Sequence, residues 1–121
     1  MRISEASKTT GLSVDTIRYY EKIGMLAPIG RGPDGQRRFS ADDIEWMTQL
    51  NWLRQTGMPQ ADMRAFAVSV HSGTQDTSER YEILLRHHAL LAQRRCELEA
   101  CERYLDHKLS VYAPKQEKKH G

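Results

Sequence analysis

Arg18, Tyr19 and Lys22 stand together in the stretch VDTIRYYEKIGML, residues 14–26. A guanidinium can read the edge of guanine, and an ammonium or a phenol hydroxyl can donate to phosphate oxygens. At 100° per residue, Asp15, Arg18, Tyr19 and Lys22 share one face of a helix, and Ile17, Tyr20 and Gly24 share the other. Arg18 and Lys22 lie one turn apart and repel weakly in water; a polyanion reverses the sign of that cost. A solvated basic face would need no ligand, but the sequence around this helix favours nucleic acid. The stretch RGPDGQRR, residues 31–38, adds Arg31, Arg37 and Arg38 shortly afterwards.

Several elements must position these side chains. Ser4 precedes a short helical run that ends at Gly11. Ser13 caps a second run, Asp15 suits its positive N-terminal end, and Gly24 closes it. Two short helices joined by TGLS form a helix-turn-helix pattern. The prolines and glycines between Ala27 and Ser40 exclude a helix there, and Pro33-Asp34-Gly35 is a turn, so a small hairpin is expected. A basic hairpin beside a candidate recognition helix is a winged helix-turn-helix, with the wing lying along phosphates.

Ser40 and Asp43 form a capping box for a helix with Ile44, Met47, Leu50 and Leu53 at helical spacing, ended by Gly57. Pro59 fits the first position of the next helix, whose stripe is Met63, Phe66 and Val70. Residues 71–78 are polar, with Asp76 and Glu79 as a second capping pair. From there to about Tyr112 there is neither Gly nor Pro. Leu84, Leu91, Leu98, Leu105 and Tyr112 recur at heptad spacing, and the alternate positions Tyr81, His88, Arg95, Glu102 and Leu109 are mixed. Such a seam suits a limited two-helix contact on a helix ~50 Å long, and its simplest partner is a second copy. The expected class is all-α with a small β wing: a winged helix-turn-helix domain over residues 1–70, a linker at 71–77, a dimerisation helix at 78–112 and a disordered tail at 113–121.

Composition narrows the function. The 121 residues suit one small domain plus an appendage, and the net charge of +2 means that any basic signal is local. No apolar run approaches a membrane span, and the start MRISEASKTT has no apolar core of a secretory signal. Two cysteines make no disulfide framework, so a cytoplasmic location is expected. No nucleophile–base pair, phosphate-cradling loop or ligand cluster is visible, so neither an enzyme, a metal nor a cofactor is expected.

The blocks TIRYYEKIGML, GQRRFS and LRQTGM, in this order and spacing, resemble the MerR family of bacterial transcription regulators. The resemblance covers roughly residues 1–70, and the long helix by architecture. It implies a homodimer joined by an antiparallel pair of C-terminal helices. It also implies binding to a pseudo-palindromic promoter with a long spacer, which the protein distorts so that RNA polymerase can engage it. On matching positions, Thr16, Arg18, Tyr19 and Tyr20 would contact DNA from the recognition helix and Arg37 from the wing; Gln36 replaces the family's usual Tyr or His. With Ser13, Lys22 and Arg38 these make up the expected DNA-binding set. The backbone N-terminus after Pro59 could add a phosphate contact. An excisionase-like architectural protein would share the winged helix but has no need of the long helix. A coiled-coil adaptor with a basic face would bind acidic protein instead.

The resemblance also bears on sensing. The ligand-binding domain of larger relatives is expected to be absent, because the sequence stops about nine residues past Tyr112. The cysteines of metal-sensing relatives have no counterpart at the helix start DTSERY or in the tail. HSGTQDTSERYEILLRHHALL and YLDHKLSVY look like the branch that answers aldehydes and other electrophiles, yet Trp52 stands where several of its members carry a reactive cysteine. That leaves Cys96 and Cys101 as candidate redox or effector residues. They lie about 140° apart around a helix, with Arg94, Arg95 and Arg103 near enough in sequence to favour a thiolate. His87 and His88 do not share a face. His71 and His107 show no partner, His120 lies in the tail, and Trp46 and Trp52 are expected in core packing.

Overall fold

The structure is a computed structural model that describes residues 1–120. Its elements are α1 (Ile3–Thr10), α2 (Val14–Lys22), β1 (Gly30–Arg31), β2 (Arg37–Arg38), α3 (Ala41–Gln55), α4 (Gln60–His71) and α5 (Ser78–His120). The chain divides into two compact units, Met1–Ile83 and a second starting at Leu84. The first unit therefore takes in the connector after α4 and the opening turns of α5.

Local chemistry sets the boundaries. α1 begins at Ile3, two residues before the expected start, with Arg2 as an N-cap that makes no side-chain cap. It ends at Gly11, whose φ of 84° is left-handed and whose N–H bonds the Ser7 carbonyl. The left-handed φ favours glycine there, and a Cβ on Gly11 would also lie 2.6 Å from Asn51 Nδ2 of α3 and push that side chain aside. Ser13 caps α2 by accepting from the Thr16 N–H at 3.1 Å. The Ser40–Asp43 box is reciprocal: the Asp43 N–H bonds Ser40 Oγ at 3.1 Å and the Ser40 N–H bonds Asp43 Oδ2 at 2.9 Å. Pro59 is the N-cap of α4 rather than its first residue.

The two strands pair antiparallel in the register Gly30 with Arg38 and Arg31 with Arg37. Gly35, at φ 77°, carries the turn, and the Gln36 N–H bonds Asp34 Oδ1 at 3.1 Å. The core of the first unit joins Leu12, Ile17, Met25, Met47 and Leu50, all essentially inaccessible, with Phe39, Met58, Met63 and Phe66 around them. Each short helix therefore gains its stability from a buried stripe and not from length.

In α5 the helix continues through the residues expected to form a disordered tail, reaching His120 with Pro114 inside it. Lys115, Gln116, Glu117 and Lys118 are good helix formers. Pro114 costs that helix a single N–H, the one that would bond the Ser110 carbonyl, plus the ring's clash with it. Gly121 and the side chains of Lys119 and His120 lie outside the described residues. No helix among the described residues is long and apolar enough to cross a membrane.

Candidate nucleic-acid interface

Burial divides α2 along its length. Ile17 and Tyr20 are 0% and 6% exposed, whereas Arg18, Tyr19 and Lys22 face solvent. Among the described residues neither Arg18 nor Lys22 forms an ion pair. The result is a compact basic face backed by a rigid core.

Neighbouring helices order that face. Gln60 Nε2, at the start of α4, donates to the Tyr19 hydroxyl at 3.0 Å. Ser13 Oγ donates to Thr16 Oγ1 at 2.8 Å while also capping the helix. Arg54 Nη1, from the last turn of α3, reaches Thr16 Oγ1 at 3.5 Å. Arg54 and Gln60 were not singled out from sequence. Their only sequence signal is position: a cation just before, and an amide just after, the TGMP turn that separates α3 from α4.

Tyr20 lies on the inner side of α2. The resemblance assigns it to DNA, but its ring belongs to the core, and burial raises the pKa of its hydroxyl above the usual tyrosine range. Helical periodicity alone had already placed it on the inner face with Ile17.

The wing arginines also differ from expectation. Arg37 does not project toward solvent; its guanidinium grips the Glu21 carboxylate of α2 through Nε at 3.1 and 3.2 Å and Nη2 at 3.1 Å. Both side chains are largely buried, at 22% and 24% exposure. Arg31 Nη2 approaches the same carboxylate at 3.9 Å. Arg37 is thus a tether from the wing to the recognition helix. Arg38 pairs with Asp34 at 3.2 Å, and Arg2 reaches the same oxygen at 3.0 Å. The Arg38 guanidinium lies over Gly32, where a Cβ would come within 3.0 Å of it. The Gln36 N–H, then Arg38 and Arg2, hold the Asp34 carboxyl below the usual carboxylate range. This group stabilises the folded wing above its unfolded pKa, and that contribution is lost as pH falls through the depressed folded value.

In the second unit the heptad residues Leu84, Leu91, Leu98, Leu105 and Tyr112 are all exposed, as is Leu109 on the alternate positions; Tyr81, also exposed, belongs to the first unit. A single chain leaves this apolar strip in water, a state that association relieves. Cys96 and Cys101 are free and exposed. Arg95 is directed at Glu99, 3.9 Å away. Among the described residues no group of three His, Cys, Asp or Glu side chains could hold a metal ion. Trp52, expected in the core, is 69% exposed. His71, which showed no partner in sequence, lies with Nε2 at 2.9 Å from the Met25 carbonyl oxygen.

Comparison with known proteins agrees with this geometry. The model for MerR HTH family regulatory proteins matches residues 1–67. An HTH-type transcriptional regulator of Haemophilus influenzae is 32% identical over 112 residues, covering 90% of this chain and 81% of that protein. The crystal structure of a Listeria monocytogenes protein described as a MerR family transcriptional regulator superposes with a TM-score of 0.85. It is 32% identical and covers 98% of this chain and 92% of that one. HiNmlR, described as a MerR family regulator lacking the sensor domain and bound to promoter DNA, superposes with a TM-score of 0.71 at 33% identity. It covers 93% of this chain and 85% of that one.

The tether makes a measurable difference. Glu21→Ala leaves Arg37 partly buried without its carboxylate and should lower unfolding stability by about 1–3 kcal/mol. Amide exchange should quicken in residues 30–38 well before it does in α1. Urea unfolding with residue-resolved exchange checks this; unchanged exchange in the wing would show that the pair holds nothing in place.

Proposed function

The chain belongs to the MerR family of HTH regulatory proteins, and from that premise we propose that it is a dimeric, sequence-specific transcription regulator working in the cytoplasm. The observation that carries the reading is the solvent-facing Arg18–Tyr19–Lys22 surface on a helix whose other face is locked into the core. In this reading α2 enters the major groove. Arg18 reads base edges, Lys22 and the Tyr19 hydroxyl meet phosphates, and Arg54 joins them from the end of α3. Ser13 and Thr16 set the N-terminal end of the helix against the backbone. Arg37 acts by holding the wing to Glu21, while Arg31 and Arg38 carry the wing's positive charge toward the flanking phosphates.

Two copies pair through α5 along Leu84, Leu91, Leu98, Leu105 and Tyr112, running antiparallel. The pair presents two recognition helices to a pseudo-palindromic promoter. Bending and untwisting of the spacer then lets RNA polymerase engage both promoter elements, so specificity combines base contacts with deformability. HiNmlR, bound to promoter DNA in its structure, supports DNA as the ligand of this fold. The effector in this reading is an aldehyde or other electrophile. The exposed thiols of Cys96 and Cys101 are its targets: the thiolate adds to the carbonyl carbon, and the oxygen takes up a proton to give a hemithioacetal.

Three experiments test this. Arg18→Ala should weaken binding to the palindrome about tenfold to a hundredfold and erase the footprint, while sedimentation still shows a dimer; an unchanged footprint refutes the recognition helix. The double variant Leu91→Asp/Leu98→Asp should sediment as a monomer, and a persistent dimer refutes the seam. Run-off transcription with purified polymerase should respond to methylglyoxal in the wild type and not in Cys96→Ser/Cys101→Ser. A response that survives in the variant excludes the thiols as the sensor.

A further inference from the structure

Within the first unit lies a cavity of about 490 Å³, bounded by α3, the end of α4, the start of α5 and the chain leading into the wing. Its size suits a small organic molecule. One wall is aromatic: Trp46 stacks on Phe66 with centroids 6.1 Å apart, and His71 meets Trp46 edge-on at 5.3 Å. Asp42 and Glu45 stand on the same face of α3, one turn apart, and both line the cavity. Asp43 beside them is occupied in the capping box, whereas among the described residues Asp42 and Glu45 form no hydrogen bond or ion pair. Arg80 also lines the cavity; it holds the Thr74 and Asp76 carbonyls through Nη2, and its Nε is buried without a hydrogen-bond partner. A π-surface beside uncommitted carboxylates suits a flat cation, and an orphaned donor on a lining residue suits an oxygen on the same molecule.

We infer that this cavity binds a small aromatic amine that also carries an oxygen acceptor, and that occupancy regulates DNA binding. The regulatory half of this inference rests on the transcription-regulator reading above. Coupling has a short physical route. The Met25 carbonyl, at the exit of the recognition helix, accepts from Trp46 Nε1 at 2.8 Å and from His71 Nε2 at 2.9 Å. A carbonyl only accepts, so Nε2 carries the histidine proton and Nδ1 is left as an acceptor in the neutral ring. A ring placed against Trp46 and His71 presses on the two donors that fix where α2 ends and the wing begins. Leu26 and Ile29, on the path to β1, line the same cavity.

The test uses the full chain, with its two indole N–H signals as reporters: Trp46 in the cavity and the exposed Trp52 as control. Tyramine should move the Trp46 signal saturably and leave Trp52 unmoved. Removing the ammonium (4-ethylphenol) or replacing it with a carboxylate (4-hydroxyphenylacetate) should weaken binding about tenfold or more, and removing the hydroxyl (phenethylamine) by a smaller factor. Asp42→Asn/Glu45→Gln should weaken tyramine about tenfold, with DNA affinity in its absence unchanged. Saturating tyramine should shift the promoter dissociation constant about fivefold or more. An unmoved Trp46 signal, or equal response to the neutral and anionic probes, overturns the site. So does a response that appears only in the Leu91→Asp/Leu98→Asp variant, which would assign the groove to a second copy of the chain. If the cavity titrates but no promoter binds, the regulator reading fails and the site stands. If the promoter binds and tyramine does not change its affinity, the regulatory half fails alone.

Discussion

The backbone carbonyl of Met25 is the fixed point of the first unit. It sits where the recognition helix ends, its own side chain is 1% exposed, and it accepts two side-chain donors from different helices. Each such bond contributes only about 1 kcal/mol net. Their value is positional. Trp46 belongs to α3 and His71 to the last residue of α4, so the exit of α2 is triangulated against both. A nine-residue helix cannot hold its own orientation. Ile17 and Tyr20 set its roll and Met25 sets its end, and from these the direction of Arg18 and Lys22 follows.

Carboxylates complete the arrangement in an unexpected place. Glu21 and Asp34 lie among the arginines of a surface read here as DNA-facing, where each carboxylate costs attraction to phosphate. Both act on backbone geometry. Glu21 gathers Arg37 and Arg31 and so joins the wing to the recognition helix; Asp34 closes the turn and gathers Arg2 and Arg38. Long, rotamer-rich side chains are immobilised before any ligand arrives, which lowers the ordering cost of binding. The protein gives up some charge and gains a fixed shape.

Elements were legible where one residue type has one physical use. Gly11, Gly35 and Gly57 mark positive φ, and Ser13 and the Ser40–Asp43 box mark helix starts. The inner face of α2 was legible too: periodicity placed Tyr20 inside, and only the likeness to a family assigned it to DNA. The Glu21–Arg37 contact was not legible, because a helix end, a loop and a hairpin separate the two residues and no periodic rule links them. Arg54 and Gln60 were hidden for the same reason; each reaches α2 from an element boundary. Trp46 and Trp52 look alike in sequence, yet one stacks on Phe66 and the other faces water, since they fall on different sides of α3. Continuation of α5 past Ala113 is not legible in hydropathy, which for a polar, Lys-rich stretch points to disorder, although Lys115, Gln116, Glu117 and Lys118 are good helix formers.

The distribution of charge decides what kind of recognition such a surface can perform. Eighteen Lys and Arg against sixteen Asp and Glu give a net +2, too little for a long-range field to draw in nucleic acid without regard to sequence. With Arg37 and Arg38 each paired to a carboxylate, the basic residues without an internal carboxylate partner near α2 are few: Arg18, Lys22 and Arg54. A surface with few phosphate contacts binds random DNA weakly and loses less affinity as salt rises. In the regulator reading proposed above, discrimination comes from the placement of those few groups and from how readily a given spacer deforms around them. On that reading the rigidity of α2, and therefore the bonds at Met25, is the quantity on which specificity depends.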